Sequence, residues 1–69
     1  MEPPNIRTEI YDPKAQVRWI VVAFRKLSDD EAVSVIRTYL SNAKKKDRPK
    51  RGEEITIVTV IAEGDNFFA

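Results

Sequence analysis

Residues 19–24 read Trp-Ile-Val-Val-Ala-Phe, an unbroken apolar run of strand-forming residues. Side chains alternate sides along a strand, so a run that is apolar at both parities must be covered on both faces. This run therefore predicts the centre of a sheet rather than its edge. A second segment, from Glu54 to Glu63, carries Ile55, Ile57 and Ile61 on one face and Thr56, Val58, Val60 and Ala62 on the other. It too reads as a strand that is apolar on both sides.

One helix is available to cover them. Ser28, Asp29, Asp30 and Glu31 form a capping-box signature: the Ser hydroxyl can accept from the Glu N–H while the Glu carboxylate reaches back to the Ser N–H. Beyond it, Ala32, Val33, Ile36, Tyr39, Leu40 and Ala43 fall at helical spacing and make one apolar stripe. Lys44, Lys45 and Lys46 are expected at the helix C-terminus, where the dipole favours positive charge. Upstream, Ile6, Thr8 and Ile10 alternate with Arg7 and Glu9, the pattern of a half-exposed strand. Asp12-Pro13-Lys14-Ala15 is a turn signal that joins this strand to the next.

The predicted order is strand, strand, helix, strand. The fold class is α+β: a small single domain with a three-stranded sheet and one helix packed on one face. The domain spans residues 6–63, preceded by a loose lead at 1–5 containing Pro3 and Pro4, and followed by an acidic-aromatic tail at 64–69. A single helix leaves the second sheet face to be covered by something else. Exposed apolar area of that size marks an interface, so a homodimer is expected, with Trp19, Phe67 and Phe68 as partner-binding residues. Fold-back of Phe67 and Phe68 over the same face is the competing outcome.

Charge supplies the functional clue. The connector at 44–52 holds Lys44, Lys45, Lys46, Arg48, Lys50 and Arg51 against the single acid Asp47, a net of +5. The rest of the chain carries six basic and ten acidic residues, so the total of +1 conceals a polarised molecule. A cationic run this dense stays in solvent and suits a polyanion or an acidic protein partner. If the second and third strands are parallel neighbours, the connector arrives at the same sheet end as the 12–15 turn. Lys14 and Arg18 then join it in one cationic edge, with Tyr11 as a candidate base-stacking residue. Asp29, Asp30, Glu31, Glu63 and Asp65 gather at the opposite end.

Catalysis is poorly supplied. The chain has no His and no Cys, which removes the Ser-His and Cys-His systems and the commonest metal ligands. Two glycines, Gly52 and Gly64, cannot build a Gly-rich nucleotide loop. The paired acids at 29–31 and 53–54 suit helix capping and charge balance better than acid/base work. No catalytic residue, metal site or cofactor is expected. No apolar stretch approaches the ~20 residues of a membrane span, and a cytoplasmic location is expected. The sequence thus predicts a non-catalytic nucleic-acid-binding regulatory or accessory protein that contacts phosphates of DNA or RNA through Lys44, Lys45, Lys46, Arg48, Lys50, Arg51, Lys14 and Arg18. The alternative is a protein-protein adaptor or inhibitor that uses the apolar sheet face or the Phe tail.

Overall fold

The structure, a computed structural model, describes residues 2–64. Strand β1 (Ile6–Asp12) pairs antiparallel with β2 (Val17–Ala23), helix α1 (Asp29–Asn42) crosses back, and β3 (Glu54–Val58) pairs parallel with β2. The sheet order is β1-β2-β3, so the doubly apolar segment is the central strand, as its pattern requires. The α+β class and the β-β-α-β order read from the sequence are both present. No described helix is long and apolar enough to cross a membrane.

Register sorts the side chains. Ile10 sits opposite Trp19 and Thr8 opposite Val21, while Ile55 and Ile57 neighbour Trp19 and Val21 on the other side. These residues share the face that meets α1. There Val17, Trp19, Val21, Ala23, Leu27, Ala32, Ile36 and Ile61 form the core. Trp19 packs edge-on against Tyr39, with ring centroids 5.8 Å apart and planes inclined at 72°. Thr8, the buried polar side chain, accepts the Leu27 N–H at 3.3 Å and so costs no unpaired group.

The capping box is complete: Glu31 N–H donates to Ser28 Oγ at 3.2 Å, and Ser28 N–H donates to Glu31 Oε1 at 3.0 Å. The far end of α1 differs from expectation. Ala43 is an extended C-cap whose N–H still reaches the Tyr39 carbonyl, and the last turn contains no basic residue. Lys44, Lys45 and Lys46 lie beyond the helix.

β3 is shorter than its sequence suggests. Thr59 N–H still donates to the Val22 carbonyl at 2.9 Å, but Phe24 N–H donates to the Ile61 carbonyl rather than to that of Thr59. That slip is a bulge at Thr59–Val60: it pushes Val60 out to 81% exposure and turns Ile61 into the core. The open sheet face also departs from the broad apolar surface expected. Its centre, Ile20, is buried, and its register neighbours Glu9 and Thr56 are polar, with Arg7, Tyr11, Arg18 and Glu54 around them. The most exposed large apolar side chains are Val58 and Val60 at the β3 edge, ahead of Tyr11 and Ile6 on β1.

Candidate nucleic-acid interface

The parallel β2–β3 pairing brings the cations together. Because β3 starts beside Arg18, the chain entering it must pass the turn that joins β1 to β2. Two backbone bonds fix this junction: Gly52 N–H donates to the Gln16 carbonyl at 2.8 Å, and Arg18 N–H donates to the Glu53 carbonyl at 3.1 Å. Gly52 adopts φ +88°, a region that disfavours side chains, although no atom lies within 4 Å of where a Cβ would stand. Its role is conformational rather than steric.

The turn itself is held by Asp12, whose Oδ1 accepts from the N–H groups of Lys14 at 3.0 Å and Ala15 at 3.3 Å. Lys14 is thereby presented outward on a fixed loop. Arg18 lies on the open sheet face with its guanidinium carbon 5.6 Å from the centre of the half-exposed Tyr11 ring. That stacking orients the arginine and leaves its donors usable.

The connector has more structure than its composition implies. Lys45–Asp47 forms a 3-10 turn closed by Asp47 N–H to the Lys44 carbonyl at 2.8 Å. A second small loop is closed from both sides, by Glu53 N–H to the Lys50 carbonyl at 3.0 Å and by Lys50 N–H to the Glu53 carboxylate. Glu53 thus serves the backbone, not the guanidinium of Arg48 or Arg51.

All eight predicted cations, Lys14, Arg18, Lys44, Lys45, Lys46, Arg48, Lys50 and Arg51, are exposed. Among the described residues none of them forms an ion pair; the salt bridge present is Arg25–Glu31, elsewhere in the fold. Asp12, Asp47, Glu53 and Glu54 stand near them, but two of those four carboxylates are committed to backbone N–H groups. Trp19 lies in the core: it is 4% exposed and projects from β2 against Tyr39. Phe67 and Phe68 lie outside the described residues, as does Asp65.

The opposite end of the sheet carries the exposed acids Asp29, Asp30 and Glu63, and a clamp that sequence patterning did not single out. Arg25 meets Glu31 through two bonds, at 2.5 and 3.0 Å, and its Nε donates to the Ala62 carbonyl at 3.2 Å. The guanidinium, with the Ser28 N–H second, pulls the Glu31 carboxyl down to about 2 from 4.5. Arg25 so ties the end of β2, the start of α1 and the segment after β3. Among the described residues no cluster of three or more acidic side chains could hold a metal.

No protein-family model, no curated protein and no solved structure matches this chain. Its chemistry is therefore read from the geometry above.

Proposed function

We propose that this protein binds nucleic acid without catalysis, in a regulatory or accessory role, by laying its cationic sheet end against phosphates. The observation that supports this reading is the convergence of eight exposed Lys and Arg side chains on one end of the fold, with no ion pair among the described residues to neutralise them. Cations without internal partners are available to replace the counterions condensed on a polyanion. Lysine is a compact point charge, and exposed lysines position a duplex more than they read it. Binding is accordingly weak and largely indifferent to sequence. Tyr11, presented beside Arg18, adds a stacking surface that favours unpaired bases. We place this action in the cytoplasm as part of the same proposal.

Fluorescence anisotropy with labelled duplex and single-stranded DNA and RNA, across a salt series, tests it. With four to six phosphate contacts, log K on duplex DNA falls against log salt with a slope of roughly −3.5 to −5.5. Changing Lys45, Arg48 and Lys50 together to Ala flattens that slope by about three units, at about 0.9 per contact. None of the three belongs to the core, so the fold persists. An unchanged slope in the triple variant, or no binding by the parent at low salt, removes this reading and leaves the adaptor in its place.

A further inference from the structure

The two outer edges of the sheet are not alike. Because Arg18 and Val22 bond toward β3, the N–H and C=O groups of Glu54, Thr56 and Val58 point away from β2, into solvent. No second strand pairs with them among the described residues. From Ile55 to Ala62 there is no charged side chain. α1 packs more over β1 and β2 than over β3, which leaves an apolar groove of about 370 Å³ beside this edge, lined by Val35, Tyr39, Ile57 and Ile61 among others. A bare edge with an apolar groove along it is a template for another strand.

We infer that the occupant is a second copy of this chain, its β3 running antiparallel to the first about a two-fold axis through Thr56. The segment Ile55-Thr56-Ile57 is its own reverse. Pairing about Thr56 therefore sets Ile55 opposite Ile57 of the second copy on the helix side, so that each copy's groove receives an isoleucine. On the other side Thr56 meets Thr56, a favourable cross-strand pair. Charge selects the direction. Antiparallel pairing sets Lys50 of one copy opposite Ala62 of the other, next to Glu63, whereas parallel pairing would set the two basic connectors against each other. A two-fold arrangement consumes both bare edges and stops at a dimer. The regular edge is five residues, about 17 Å at ~3.3 Å per residue, so the interface is at the small end of the range and the association is of roughly micromolar strength.

Sedimentation equilibrium of the full chain from about 5 to about 500 µM reads this directly, bracketing a micromolar constant. The parent should move from the chain mass toward twice that mass. Thr56→Lys and Thr56→Glu each place like charges against each other on the axis at an exposed position, and each should weaken association by about 100-fold or more. An equimolar mixture of the two variants should restore a dimer, because opposite charges now face each other. Circular dichroism confirms that both variants stay folded. A parent that is monomeric throughout, a Thr56→Lys variant that associates like the parent, or a mixture that does not recover each overturns the inference. A parent that becomes dimeric only after residues 65–69 are removed overturns it as well, by naming the tail as the occupant. None of these readouts involves nucleic acid, so the outcome is independent of the cationic end.

Discussion

β1 and β3 flank the same central strand, yet β1 is the better defended against further pairing. Its outward-facing backbone belongs to Arg7, Glu9 and Tyr11, two of which are charged, and Lys26 Nζ donates to the Arg7 carbonyl at 3.3 Å. The segment that leaves β2 also crosses at this side, where Leu27 bonds Thr8 and caps the core. β3 presents Glu54, Thr56 and Val58, followed by a bulge that throws Val60 into solvent. Edge strands are hazards that proteins blunt with charge, lysine and covering segments. β3 has one charged residue, Glu54, no covering segment among the described residues, and an apolar groove beside it. In the dimer inferred above, burial is shared unevenly: α1 covers two strands most fully, and association completes the third.

That contrast can be broken. A charge placed on β3, as in Thr56→Lys, should weaken association by about 100-fold or more, while Glu9→Lys on β1 should leave it unchanged in the same sedimentation series. Equal effects from the two edges would erase the distinction. The converse change sharpens it. Replacing Arg7 and Glu9 by Thr and Lys26 by Met strips the guard from β1, and such a variant should grow beyond a dimer, visible as species larger than twice the chain mass in light scattering. A stripped β1 that still stops at the parent's mass would mean that the covering segment, not charge, protects that edge.

A smaller effect tests how the end of β3 is held. The Arg25–Glu31 pair reaches the Ala62 carbonyl and so anchors the chain just past the bulge. Since the Glu31 carboxyl lies at about 2 in the folded protein and ordinarily at 4.5, its contribution is fully present above about pH 4.5 and is lost as pH falls toward 2. Urea midpoints measured from pH 5 down to 2 should fall through that window in the parent. The Glu31→Gln variant should start lower and lack that component of the fall. A variant that tracks the parent at every pH would remove the clamp from the account.

Much of this architecture was legible in the residues. The parity of 19–24 called for a central strand, Ser28 and Glu31 marked the helix start, and the turn at Asp12 together with a crossover helix brought Lys14 and Arg18 to the connector's end. Long-range backbone bonds escaped. Thr59 and Val60 are good strand formers, so nothing local marks the bulge that ends β3 early. Nothing near Arg25 in the sequence marked its clamp, because its carbonyl partner stands 37 positions away. The missing apolar face had a related cause: Ile20 is apolar in sequence, but Glu9 and Thr56 beside it come from two other strands. The order in the connector was hidden too, since it depends on Gln16 and Glu53 accepting backbone N–H groups.

Hydrogen exchange at single amides, followed at low and high protein concentration, measures the edges themselves. Thr56 and Val58 donate outward from β3, as Arg7, Glu9 and Tyr11 do from β1. Protection of Thr56 and Val58 should rise with concentration, while the three β1 amides exchange fast at both. Concentration-independent exchange at Thr56 and Val58, or protection that appears on β1 instead, would contradict association through β3.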